Sequence, residues 1–93
     1  MKRALEPTPS FLRAAKRLLR RQPAMDSHLS EILQLLEADA FAPALRTHKL
    51  KGRLSGCWAA SAGYDLRIIF EILATSDGEK ISLLSLGTHD EVY

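Results

Sequence analysis

The sequence predicts an α+β domain: a short N-terminal strand, a two-helix antiparallel hairpin, then a three-stranded antiparallel meander with the helices on one sheet face. Three observations predict it. Apolar residues recur at helical spacing through the first half of the chain. After Leu45 the character changes, and glycines punctuate runs of strand-forming residues. Only a few residues separate the two helical patterns, which favours antiparallel neighbours.

The elements follow in order. KRALEPT is short and reads as an edge strand before a proline-bounded turn. A helix-start signal follows at Pro9 and Ser10, and the pattern closes at Pro23. Within it Phe11, Ala15, Leu18 and Leu19 form one apolar stripe, with Arg13, Lys16, Arg17, Arg20 and Arg21 mostly off it. The second helix takes Asp26 or Ser27 as N-cap and buries Leu29, Ile32, Leu33, Leu35 and Leu36. It fades near Phe41 and stops before Pro43. Three strands are expected, at about Gly56–Ser61, Tyr64–Ala74 and Lys80–Gly87. Ser61-Ala62-Gly63 connects the first two, and Asp77-Gly78 signals a hairpin between the others. Alternation in the middle strand turns Leu66, Ile68, Phe70 and Ile72 to the helices and Asp65, Arg67, Ile69 and Glu71 to the other face. In the last strand Leu84 and Leu86 are the seating residues, and Gly87 frees the backbone to turn.

Composition narrows the class. A chain of 93 residues has room for one core, so residues 1–93 are expected to form a single domain. No apolar run approaches the roughly 20 residues needed to span a bilayer, so no membrane partner is expected. The basic N-terminus lacks the apolar stretch of a secretory signal. A lone cysteine, Cys57, excludes an internal disulfide and suits the cytoplasm. One Cys and three His show no metal-ligand spacing, and no metal or cofactor is expected. Net charge is only +2, yet residues 1–21 carry +6 and residues 46–56 carry +4, each followed by a stretch of −4. Two basic blocks on a nearly neutral chain suggest an anionic partner.

The polar residues that could do chemistry are His48, Asp65, Arg67 and His89. In an antiparallel meander the start of the middle strand lies beside the end of the last. Asp65, Arg67 and His89 therefore converge at one end of the sheet, and His48 enters from the preceding loop. Two imidazoles and a carboxylate bordered by Lys49, Lys51 and Arg53 make a sensible ribonuclease set. Cleavage through the RNA 2′-hydroxyl needs a base, a cation for the phosphorane and an acid for the leaving oxygen. Histidine suits both proton roles near neutral pH. Tyr93 or Trp58 offers a stacking surface for an unpaired base. The plain readings stand beside these. A loop histidine is usually a surface or capping residue, Asp65 can cap the Gly63 turn, Arg67 can pair with Glu71, and Trp58 belongs more naturally to a core.

HKLKGRLSGCW, GYDLRIIFEI and LLSLGTHDEVY together resemble the RelE/ParE superfamily of bacterial type II toxins, and most closely its YafQ-like branch. The resemblance spans essentially the whole chain. It implies a RelE-like fold and a ribosome-dependent mRNA endoribonuclease, an mRNA interferase that inhibits translation in the bacterial cytoplasm. It also implies a cognate antitoxin, acidic and folding on contact, with the ribosome and mRNA as the other partners. On the family's pattern His48 is a candidate general base. Asp65 would orient a histidine or share that role, and His89 is the candidate acid. Tyr93 would pack on the mRNA base, Arg67 would face the scissile phosphate, and Lys49, Lys51 and Arg53 would border the RNA. Two positions depart from the pattern: Ser61 stands where the branch has a further histidine, and Ser85 where relatives often carry arginine. Two alternatives remain open. One is a ParE-like poison of DNA gyrase without nuclease chemistry, which has no need of His48, Asp65 and His89. The other is a degenerate homologue that only binds its antitoxin.

Overall fold

The computed structural model describes residues 2–61, 63 and 65–93. The chain runs β1 (Ala4–Pro7), α1 (Pro9–Arg21), α2 (Met25–Ala38), β2 (His48–Lys49), β3 (Trp58–Ser61), β4 (Arg67–Thr75), β5 (Gly78–Gly87) and α3 (His89–Val92). The expected meander is β3-β4-β5, antiparallel throughout. It sits inside a five-stranded sheet of order β1-β5-β4-β3-β2, with β1 parallel to β5. Strand β2 and helix α3 were not expected. Among the described residues, no helix is long and apolar enough to cross a membrane.

Helix α1 starts where Thr8 accepts a hydrogen bond on Oγ1 from the Phe11 amide at 3.2 Å. The same hydroxyl donates to the Leu83 carbonyl at 2.8 Å, which ties the helix start to β5. Helix α2 begins at Met25, earlier than the expected cap at Asp26 or Ser27. The Met25 and Asp26 amides donate to Gln22 and Pro23 carbonyls, so the turn after α1 feeds directly into helix and needs no side-chain cap. The helix stops at Ala38, short of Phe41. Asp39 is extended there, and its carboxylate accepts from the Phe41 amide at 3.1 Å, turning the chain away.

The β4–β5 hairpin is present, one residue earlier than expected: Thr75 pairs with Gly78, so Ser76 and Asp77 make the turn. Gly78 opens β5 at φ +132°, a conformation that favours glycine. Strand β3 begins at Trp58, because Gly56 is left-handed at φ +93°. Strand β4 begins at Arg67. The expected start at Tyr64 and the Ala62 part of the connection lie outside the described residues.

Helices α1 and α2 pack on one sheet face through Phe11, Leu18, Leu29, Ile32 and Leu36. The sheet meets them with Ile68, Phe70, Ile81, Leu83 and Leu86, as the alternation in the middle strand requires. In β5 the expected seating pair Leu84 and Leu86 is corrected to Leu83 and Leu86. Register shifts at a bulge: Ile69 pairs with Ser85 and Phe70 with Leu83, which leaves Leu84 as the extra residue. The bulge lets two leucines three positions apart face the same core. It also turns Ser85 and Gly87 to the opposite face, beside Ile69 and Arg67.

Candidate active site

The last residues of the chain form α3. The sequence Thr88-His89-Asp90-Glu91 is a capping box. The Glu91 amide donates to Thr88 Oγ1 at 3.3 Å, and the Thr88 amide donates to Glu91 Oε1 at 2.8 Å. The Thr88 amide bond holds the Glu91 carboxyl below the usual carboxylate range; desolvation opposes it, and the nearby Arg21 charge adds to the lowering. Gly87 is not needed for a left-handed turn. A Cβ there would meet Glu91 Oε1 at 2.9 Å and Glu91 Cβ at 3.0 Å, so glycine is required for close approach.

One helical turn brings His89 and Tyr93 together, ring centroids 4.6 Å apart and edge to face. Arg53 Nη2 donates to the Tyr93 carbonyl at 3.0 Å and secures that end. The Tyr93 hydroxyl is buried with no hydrogen-bond partner among the described residues. Burial raises its pKa, and the Arg67 charge offsets part of the rise. Arg67 is half-buried at the start of β4, across from Gly87. Its Nη1 donates to the Leu66 carbonyl at 3.3 Å and lies 3.9 Å from Asp65 Oδ1. Asp65, not Glu71, is therefore its acidic neighbour. Asp65 itself is exposed and left-handed at φ +56°, a conformation aspartate tolerates better than most residues. The structure thus gathers His89, Tyr93, Arg53, Arg67 and Asp65 at one end of the sheet.

His48 enters on the same face from β2. It pairs with Ala59, which pairs with Ile69, while Ser61 pairs with Arg67 one alternation further along. Strand spacing and rise put the His48 and Arg67 Cα atoms on the order of 12 Å apart. His48 Nδ1 lies 3.0 Å from the Arg46 carbonyl. A carbonyl only accepts, so Nδ1 carries a proton and Nε2 is the ring nitrogen left to face outward.

The basic residues divide. Lys49 pairs with Trp58, whose register partner Phe70 faces the helices. Lys49 Nζ lies 5.4 Å from the Trp58 ring centroid, on the side away from His48. Lys51 is exposed beside the short turn at Gly52–Leu54 that carries Arg53. Trp58 packs against the core, edge to face with Phe41 at 5.0 Å. Both departures from the family pattern, Ser61 and Ser85, sit on the site face. Among the described residues no cluster of His, Cys, Asp and Glu has the makings of a metal site.

A family model described as a bacterial toxin of type II toxin–antitoxin systems, YafQ, matches residues 3–93. No curated protein matches significantly by sequence. Among solved structures, YafQ from E. coli strain BL21(DE3) is 18% identical with a TM-score of 0.76, covering 99% of both chains. The E. coli DinJ–YafQ toxin–antitoxin complex contains a chain 19% identical with a TM-score of 0.74, covering 100% of this chain and 99% of that one. A YoeB/ParE toxin from Agrobacterium tumefaciens is 16% identical with a TM-score of 0.74, covering 92% of this chain and 98% of that one. At these identities the structural likeness is one of fold.

Proposed function

The chain belongs to the YafQ family of type II toxins, and from that premise we propose that it is an endoribonuclease that cuts mRNA on the ribosome. The observation that carries this reading is the capped turn α3, which sets His89 against Tyr93 at the sheet end where Arg53 and Arg67 lie. A gyrase binder has no use for an imidazole held among cations on an open sheet face.

The chemistry follows from the groups. The 2′-oxygen attacks the adjacent phosphorus while its proton passes to a base, His48 Nε2 or the Asp65 carboxylate. Arg67 and Arg53 offset the charge that builds on the phosphorane oxygens. His89 gives its proton to the departing 5′-oxygen. The products are a 2′,3′-cyclic phosphate and a 5′-hydroxyl, and no other reactant is consumed. The gap between His48 and Arg67 leaves room for the scissile nucleotide between base and cation. Tyr93 presents an aromatic body for its base. Ser61 and Ser85 leave fewer titratable groups on this face than the family pattern has, so His89 carries more of the proton transfer.

The surface also fits an antitoxin. E. coli YafQ is found in complex with DinJ. For this chain a cognate antitoxin with an acidic, disordered segment would fold onto the basic blocks at Arg13–Arg21 and Arg46–Arg53.

The test is cleavage of mRNA-programmed ribosomes by the purified toxin. Cuts are expected in mRNA of ordinary chemistry and none where the cut nucleotide is replaced by its 2′-deoxy form. Equal cutting of the 2′-deoxy mRNA would reject attack by the 2′-oxygen.

A further inference from the structure

Pairing between β1 and β5 stops at Leu83, and α1 runs alongside the rest of β5. Between them is a cleft of about 180 Å³ lined by Arg13, Arg17, Arg21, Ser85, Gly87 and Glu91, among others. The three arginines are four residues apart and so form one row on α1. Glu91 is the single acid in the lining, and its Oε2 lies 3.3 Å from Arg21 Nη2. Arg13 and Arg17 have no acidic partner among the described residues, so the cleft carries a cationic excess. A carboxylate of the chain itself already meets one end of the row, held on its other oxygen by the Thr88 amide.

Glu91 and His89 are two residues apart on the same helical turn and so face opposite ways. His89 turns to Tyr93, and Glu91 turns to the arginines. Helix α3 is thus a wall about 6 Å long, with the proton donor on one side and the cleft on the other. A strand of RNA crossing that wall would leave one phosphate at His89 and meet the arginine row with a neighbouring one.

We propose that the Arg13–Arg17–Arg21 cleft is a second phosphate subsite for the RNA strand cut at His89. It binds a phosphate next to the scissile one through the arginine row. This rests on the nuclease reading above. The subsite holds the strand in register over α3, and the spare charge of Arg13 and Arg17 supplies the affinity.

The test uses ribosomes programmed with mRNA in which single phosphates around the cut are replaced by neutral methylphosphonate. With the unaltered toxin, one position beside the scissile phosphate should slow single-turnover cleavage roughly tenfold. The Arg13→Ala/Arg17→Ala double variant should be about as slow on unmodified mRNA, and the same methylphosphonate should slow it no further. Arg17→Lys should recover part of the rate, and thermal melting should show all variants folded. Independent, multiplying losses would overturn the subsite. So would a loss confined to ribosome affinity, which marks a ribosomal RNA contact, or a loss confined to antitoxin affinity. If the unaltered toxin cuts no unmodified mRNA, the nuclease reading itself fails. Cutting without the coupling rejects the cleft alone.

Discussion

On the sheet face turned to α1 and α2, the inward positions are large apolar residues: Ile68, Phe70, Ile81, Leu83 and Leu86. On the opposite face the same strands carry Arg67, Glu71, Ser82 and Ser85 around the buried Ala59 and Ile69. Both faces use the same backbone and the same alternation. The first is closed by helices, so its residues answer to packing. The second is capped at its end by the single turn α3 and carries the polar residues proposed for chemistry. On the proposed function, the core and the reacting groups fall on opposite faces of one sheet and should separate under mutation.

The largest effect is expected where the closed face is emptied. Phe70 is fully buried, and Phe70→Ala should cost about 3–5 kcal/mol, a large part of the stability of so small a domain. Urea unfolding measures it, and a loss under about 1 kcal/mol would deny Phe70 its place in the core.

On the open face the pattern inverts. His89→Ala should slow mRNA cleavage by a factor of about a hundred to ten thousand. Stability should fall by no more than about 1 kcal/mol, the value of one edge-to-face ring contact. A comparable drop in both would mean that α3 is part of the fold rather than a fitting on it.

Gly87→Ala probes the junction of the two regions. The added methyl crowds Glu91 Oε1 and Cβ, so the Glu91 side chain must shift and its backbone give by a few tenths of an ångström. Cleavage should fall roughly tenfold, with a destabilisation of about 1 kcal/mol at the low end of overpacking costs. Full activity would show that His89 does not depend on the position of α3.

A smaller contrast lies between two cations of one basic block. Arg53→Ala should weaken binding to mRNA-programmed ribosomes and lower the salt slope by about one. Lys49, over Trp58 on the other side of the sheet, should leave both nearly unchanged on replacement by alanine. Equal effects would place Lys49 on the RNA path.

The smallest effect is on pH. The Glu91 pKa is lowered in the folded chain, so its stabilisation of α3 is present above the ordinary value of 4.5 and is lost as pH falls through the folded value. The Thr88 amide should lose protection against exchange with solvent in that acid range while β4 amides keep theirs. Both amides changing together would tie α3 to the core.

The periodic parts of the fold were legible in the sequence. Phe11, Leu18, Leu29, Ile32 and Leu36 repeat at helical spacing, and Leu66 to Ile72 alternate, so helices and middle strand follow from burial alone. Strand β2 was not, because two residues carry no periodicity. The bulge at Leu84 was not, because nothing local distinguishes a run of strand-forming residues that slips register from one that does not. It misdirected the reading of the last strand by one leucine. Helix α3 was legible in principle: Thr88 and Glu91 have capping-box spacing, masked by the expectation of a strand end. The convergence of Asp65, Arg67 and His89 follows from antiparallel topology. The separation of Lys49 from Arg53 does not, since it depends on the pairing of β2 with β3.

The most direct measurement of the central claim is a map of mRNA 5′ ends in cells producing the toxin without an antitoxin, with His89→Ala beside it. New ends in phase with the reading frame are expected within minutes for the unaltered chain, and none above background for the variant. Growth arrest by both proteins with no phased ends, or with DNA breaks at gyrase sites instead, would contradict the account.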